Sequence, residues 1–343
     1  MPADDESSAK QLPTNNGGIT AIKKVEVEGW QHGMVDDPLG YVKLRQGLPK
    51  ALTPEQIKSY DEIGYVWDES WGCAAGRVMS EDDAYALADR VKGMEIRLGK
   101  SVADFGAMHL TQKWYHDIVT DPKILDAVED IIGPNILCWS AQFWCKEPGS
   151  SSYVGWHQDT NYWGLRPDHL LSAWVAFSDV NLESGPMEFA KKSHLVHLRH
   201  DETYAKTNLL SRGQEIAWPK EPTEAEIGKD ILKPGEFSLH HIRLAHMSGP
   251  NSSEHRRLGM AIRYMPTWSR SVLRDDIGVM LVRGVDEHGH FRLLDPPAAD
   301  SDQNPSELVG DTGVMDGGDA EAYAKVMEER KELNVPAHLQ PKL

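Results

Sequence analysis

Residues 156–163 of this 343-residue chain read WHQDTNYW, setting His157 and Asp159 two positions apart among three large aromatic rings. An imidazole nitrogen and a carboxylate oxygen together suit a divalent metal of intermediate softness. On a strand, side chains two apart share a face, so the pair converges on one small object if the stretch is extended. A metal needs a third ligand, and the stretch HHIRLAHMSGPNSSEHRRLGMAIRYMP offers His240, His241, His246 and His255. His246 has the most informative surroundings, with Ser248 two residues on and Arg257 eleven residues on, at the head of an alternating run. A hydroxyl and a planar guanidinium fork facing one metal suit a bound carboxylate. The competing reading is a core histidine beside a surface aspartate.

These stretches, with LLSAWVAFSDVNLESGPMEFAKKSH, closely resemble the phytanoyl-CoA dioxygenase family of iron(II)- and 2-oxoglutarate-dependent oxygenases, over roughly residues 53 to 270. The resemblance implies that His157, Asp159 and His246 hold iron(II). It implies that Arg257 and Ser248 bind the distal carboxylate of 2-oxoglutarate, with Trp174 of SAWVAF beside it. Ser140 and Gln142 in CWSAQFWCK, and more loosely His109 in AMHLTQKW, resemble further cosubstrate contacts. The implied reaction consumes O2 and 2-oxoglutarate, releases succinate and CO2, and hydroxylates an aliphatic C–H bond of a small-molecule metabolite. Halogenating relatives carry a small residue where this chain has Asp159, so hydroxylation is the expected outcome.

Asn161, Tyr162 and Trp163 are expected on a loop over the site, with Trp144, Trp268 and Arg263 approaching from neighbouring strands. Aromatic walls suit an acyl chain or a cationic group, although plain core packing explains any one ring as well. Arg263 lies six residues beyond Arg257 and so on the same strand face. It suits either an anionic substrate group or a structural ion pair. No CoA phosphate site is evident. The alternatives are an acyl-CoA-specific hydroxylase of the same family and a catalytically silent jelly roll that only binds a metal or ligand. A cupin-type enzyme without 2-oxoglutarate lacks its short His-x-His motif here.

The remaining histidines have simpler readings. His194, His197 and His200 recur every three residues and could mimic a zinc cluster, but they also fit a connection after a strand. Adjacent His240 and His241 face opposite ways on a strand, so at most one approaches a metal. His288 and His290 belong to a solvated turn. Cys73, Cys138 and Cys145 form no close C-x-x-C pair, which points to neither a disulfide framework nor a thiolate zinc site.

Three helices must precede this chemistry. LTPEQIKSYDEIGYV carries a capping box from Thr53 and Gln56, Pro54 at the first helical position and Gly64 at the end. A second helix starts after Ser80, and a third after Thr120 or Asp121, stopping at Gly133. From residue 136 the chain turns to short β-branched and aromatic runs, ILCWSAQFWCK, LLSAWVAFSDV, GEFSLHHI and RRLGMAIRYM. Helices followed by strands predict an α+β fold: a double-stranded β-helix, that is a cupin-like jelly roll, flanked by N-terminal helices. The expected organisation is a loosely ordered arm over residues 1–50 and one domain over 51–343, with a loop-rich extension from about 275 and a surface helix in DAEAYAKVMEERKEL.

A net charge of −17 repels phosphate backbones and disfavours nucleic acid as a partner. No apolar run is long enough to span a bilayer. The acidic start MPADDESSAK argues against a secretory signal, leaving the cytoplasm as the default. The expected partner is a small-molecule substrate; oligomeric state is not legible.

Overall fold

The computed structural model describes residues 23–24, 34–35, 47–272 and 275–305, without the side chains of Asn161 and Tyr162. The first helix, α1 (Pro54–Ile63), has the expected capping box, in which the Thr53 hydroxyl accepts from Gln56 N–H and the Gln56 side chain accepts from Thr53 N–H. Gly64 closes it in the left-handed region at φ 96°, where a Cβ would also meet the His194 ring at 2.6 Å. Helix α2 (Glu81–Leu98) is capped by Ser80. A helix not anticipated from the sequence, α3 (Lys113–Val119), precedes α4 (Pro122–Ile132), whose cap is Asp121 rather than Thr120. Asp130 of α4 accepts hydrogen bonds from the backbone N–H groups of Lys50, Ala51 and Leu52, tying the incoming chain to the domain.

Eleven strands matter to the site: β1 (Gly76–Arg77), β2 (Ile136–Lys146), β3 (Val154–His157), β4 (Leu171–Ala176), β5 (Met187–Ala190), β6 (Ile227–Lys229), β7 (Glu236–His241), β8 (His246–Ser248), β9 (Arg257–Pro266), β10 (Gly278–Arg283) and β11 (Arg292–Leu293). A seven-stranded sheet has the order β11-β10-β2-β9-β4-β7-β1, and a four-stranded sheet the order β6-β5-β8-β3. The chain crosses repeatedly between the two, and every pairing in them is antiparallel except β10 with β11. The result is the expected jelly roll with helices on its flank.

Strand alternation divides the large sheet into two chemistries. Ala141, Phe143, Ala173, Val175, Met260 and Ile262 point outward into the main apolar core with Ile124, Val128 and Ile131 of α4. The alternate residues, among them Trp174, Ala176, Ala261 and the half-buried Trp144, point inward toward Met187 and Phe189 of the small sheet. The inner face is where the site lies.

Residues 275–293 depart from the expected loop-rich extension. Ile277 and Val279 bury into an apolar cluster with Leu137, Trp139 and Met265, which draws β10 onto the edge of β2. Lys23–Lys24 pairs with Met34–Val35; the rest of the expected N-terminal arm before residue 47, and the DAEAYAKVMEERKEL helix, fall outside the described residues. The three cysteines are free thiols. No helix among the described residues is long and apolar enough to cross a membrane.

Candidate active site

His157 ends β3 and is paired across the ladder with His246, which opens β8. Their ring centroids are 4.1 Å apart. Each ring uses Nδ1 in the same way, on the carbonyl two residues back: Gly155 O for His157 and Leu244 O for His246, both at 2.9 Å. A carbonyl only accepts, so Nδ1 carries the proton and the Nε2 lone pair is left for the interior. His157 Nε2 lies 3.3 Å from an Asp159 carboxylate oxygen. Ligand atoms of His157, Asp159 and His246 all fall within 4.8 Å of one another, the only such group among the described residues. All three side chains are buried.

The convergence of His157 and Asp159 does not come from strand alternation. The strand stops at His157, and Asp159 has right-handed helical backbone (φ −57°, ψ −37°) at the head of a one-turn helix, α5 (Thr160–Trp163). Gln158 makes this bend possible. Its N–H donates to His200 Nε2 at 2.8 Å, its carboxamide nitrogen faces the carbonyls of Val196 (2.8 Å), Arg243 (2.7 Å) and Ser193 (3.2 Å), and its oxygen accepts from Leu198 N–H at 2.8 Å. His200 in turn places Nδ1 on Leu198 O at 2.9 Å.

Of the periodic histidines in the connection after β5, His200 supports the ligand turn, whereas His194 Nε2 lies 3.1 Å from the Asp61 carbonyl and His197 Nε2 3.5 Å from an Asp168 oxygen; they form no metal cluster among the described residues. The sequence reading singled out neither Gln158 nor a role for His200 in holding the ligand turn. The adjacency of Gln158 to both candidate ligands was the available signal.

Electrostatics favour metal binding. Burial, then the neighbouring His157, drive His246 well below its usual range, so its imidazole stays neutral. Burial opposes ionisation of Asp159, but the contact with His157, then the nearby His246, His157 and Arg263, outweigh it and hold the carboxyl below its usual range. A neutral His246 and an ionised Asp159 are the forms that a cation requires.

Farther along the inner face, Arg257 stands opposite Lys146 across the β9–β2 ladder. Arg257 NH1 donates to Ser248 Oγ at 2.9 Å and to the Gly185 carbonyl, while its Nε has no partner. Lys146 Nζ donates to Ser248 Oγ at 2.6 Å, Ser248 O at 2.8 Å and the Gly249 carbonyl. Burial, then Arg257, push Lys146 down to about 6. Burial raises Asp230 to about 7 against the opposing Ser238 hydrogen bond and Arg257 charge. The Arg257 guanidinium lies 5.2 Å from the centre of the Trp174 ring. That ring occupies the space over Gly259, where a Cβ would approach it to 2.2 Å. Gly259 is thus a requirement of the Trp174 position.

The remaining expected residues divide. Ser140, Gln142 and Trp144 lie on the inner face of β2, paired with Arg263, Ala261 and Gly259. His240 approaches the ligands, its ring 5.0 Å from that of His246, whereas His241 faces the other way, toward Tyr60 and His194. His109 is buried on a 3-10 turn (Met108–Leu110), which lowers its pKa to about 4, and its Nδ1 has no partner. Asn161, Tyr162 and Trp163 lie on α5 rather than on a loop; Trp163 is buried among Leu137, Trp139 and Met265. Trp268 follows β9 in a turn and packs edge-on against His169, so it is not on a strand facing the ligands. His255 binds the Asp179 carbonyl outside this cluster. His288 and His290 stack on each other in an exposed turn.

Two imidazoles and one carboxylate at the mouth of a double-stranded β-helix define a non-haem iron oxygenase class. The phytanoyl-CoA dioxygenase (PhyH) profile matches residues 40–259, and the chain belongs to that family. It is an iron(II)- and 2-oxoglutarate-dependent dioxygenase, as its relatives indicate.

The "Probable alpha-ketoglutarate-dependent hypophosphite dioxygenase" of Stutzerimonas stutzeri is 28% identical over 229 residues, covering 64% of this chain and 76% of that protein. Human peroxisomal phytanoyl-CoA dioxygenase is 27% identical over 154 residues, 42% of this chain and 44% of that protein. Among solved structures, the non-heme monooxygenase ThoJ in its apo form superposes with a TM-score of 0.61 at 28% identity, covering 81% of this chain and 98% of ThoJ.

Proposed function

We propose that the protein hydroxylates an aliphatic C–H bond of a small-molecule metabolite, with release of succinate and CO2. His157, Asp159 and His246 hold the iron(II); Arg257 and Ser248 grip the distal carboxylate of 2-oxoglutarate. One observation carries this reading: ligand atoms of two histidines and an aspartate converge within 4.8 Å, with a buried arginine on the same inner face that forms no ion pair among the described residues.

The donor set fits iron(II): two imidazole nitrogens and one carboxylate oxygen would hold the ion and leave it able to take 2-oxoglutarate and dioxygen. Bound iron and cosubstrate supply the oxidising chemistry; the protein supplies geometry, exclusion of water and the choice of carbon. Carbonyls of Gly155 and Leu244 fix the two imidazole tautomers and so aim both lone pairs inward. The Gln158 clamp holds Asp159 against His157. Ser248 orients the Arg257 fork, and the Trp174 ring closes one side of the cosubstrate space. Ser140 and Gln142 face that space from β2, and His109 is kept as a looser contact. Trp144 and Trp163 are candidate substrate walls, as are Asn161 and Tyr162 from their sequence position.

The test is anaerobic loading with Fe(II) and 2-oxoglutarate. A weak visible charge-transfer band and air-dependent succinate formation are expected, both lost in His246→Ala. Absence of both in the unaltered protein would remove the proposal and favour a silent metal- or ligand-binding jelly roll.

A further inference from the structure

Register places Ser140, Arg263, Ser172 and His240 side by side across β2, β9, β4 and β7. Directly paired residues present their side chains on one face. The proximity of His240 to His246 shows that this face looks at the ligand cluster. The row is rich in polar atoms with nothing to bind: Arg263 Nε, Ser172 Oγ and His240 Nδ1 are buried and without a hydrogen-bond partner. The one hydrogen bond given by Arg263 is a long one, from NH1 to the Ala261 carbonyl at 3.3 Å. Its guanidinium lies 5.4 Å from the centre of the Trp163 ring, and it forms no ion pair with a described carboxylate.

Strand β2 is internal to its sheet and its outward residues Ala141 and Phe143 are packed, yet inward-facing Gln142 is exposed and Ser140 and Trp144 are half-buried. Solvent therefore reaches the inner face at the Ser140 end of this row, while Arg263, Ser172 and His240 are buried.

With iron(II) and 2-oxoglutarate bound, the ferrous charge, the Asp159 carboxylate, the two cosubstrate carboxylates and Arg257 cancel. Buried Lys146 and Asp230 are each pushed toward their neutral forms. Arg263 is left as an uncompensated buried cation, which is costly unless something anionic joins it.

We infer that Arg263 is the anion anchor of the substrate site, and that the substrate class is small molecules bearing a carboxylate or comparable oxyanion close to the carbon that is hydroxylated. This rests on the iron and 2-oxoglutarate reading above. Trp163 backs the guanidinium, and the Ser172 and Ser140 hydroxyls flank it as further donors to an oxyanion.

The experiment titrates the anaerobic Fe(II)–2-oxoglutarate enzyme by calorimetry with short-chain carboxylates and alkylphosphonates, each matched to its neutral amide or ester. Succinate release in air is then measured for the same compounds. At least one acid should bind roughly tenfold or more tightly than its neutral match and stimulate succinate release. Arg263→Gln should erase that preference while keeping the charge-transfer band and 2-oxoglutarate affinity, and Arg263→Lys should retain part of it.

If Arg263→Gln does not fold, Arg263→Lys and Ser172→Ala carry the test through a reduced acid preference. Equal binding of acids and neutral matches, no binding of any acid, or an unchanged preference in the variants would overturn the inference. So would a variant that loses only iron affinity, which would make Arg263 a support for Asp159. Loss of the band in the unaltered enzyme would instead mean that the parent reading has failed.

Discussion

Replacing Gln158 by methionine tests how the ligand turn is held, because the side chain is fully buried and touches no proposed ligand with its polar end. The carboxamide has two N–H bonds for three carbonyls, so the short contacts to Arg243 (2.7 Å) and Val196 (2.8 Å) count as full bonds and Ser193 at 3.2 Å as a shared one. Together with the bond accepted from Leu198, about three hydrogen bonds are lost, each contributing about 1 kcal/mol net. Methionine is similar in volume, so little cavity term is added, but the carbonyls it leaves unpaired raise the cost. The expected destabilisation is about 3–5 kcal/mol in urea unfolding of the metal-free protein. Iron affinity should fall as well, because Asp159 is no longer pinned beside His157. Measured by anaerobic Fe(II) titration at a temperature where the variant remains folded, the loss should be at least tenfold, within the range for residues that support metal ligands. Unchanged stability together with unchanged iron affinity would refute the argument.

Arg257→Lys should weaken 2-oxoglutarate binding by roughly 10- to 100-fold, the value of a charged hydrogen bond, with iron affinity in the absence of cosubstrate preserved; calorimetry with each ligand separates the two. Gly259→Ala drives a methyl into the Trp174 ring, and the overpacking should cost about 1–3 kcal/mol in urea unfolding while raising the Kd for 2-oxoglutarate. Asp230→Asn tests a buried acid raised from 3.8 to about 7. An acid whose folded pKa is raised has its stability contribution fully present below about 4 and loses it as pH rises through about 7. Relative to the Asn variant, the unaltered protein should therefore fall behind between pH 4 and 7 and level off above, by a ceiling of roughly 4 kcal/mol, as followed by urea midpoints at pH 5 and pH 8.

Much of the site was legible because its chemistry is local. His157, Asp159, His246, Ser248 and Arg257 carry distinctive types at short spacings, and the caps at Thr53, Ser80 and Asp121 are side-chain-to-backbone bonds made within a few residues. What failed depended on contacts distant along the chain. The convergence of His157 and Asp159 was read from strand alternation, whereas the strand stops at His157 and the long-range bonds of Gln158 hold the bend that follows. Strand β10 looked like loop because its partner, β2, lies more than a hundred residues earlier. Trp268 looked like a site residue because aromatic type says nothing of direction, and a turn after β9 sends it to His169. Lys146 and Asp230 gave no signal, since their perturbation arises mainly from burial.

The central claim is that one ferrous ion is bound by two imidazoles and one carboxylate contributed by His157, His246 and Asp159. X-ray absorption on anaerobically reconstituted protein counts those imidazoles directly. The account predicts one iron per chain with two imidazole ligands, falling to one imidazole in His246→Ala. Two imidazoles retained in His246→Ala, or iron held without imidazole in the unaltered protein, would contradict it.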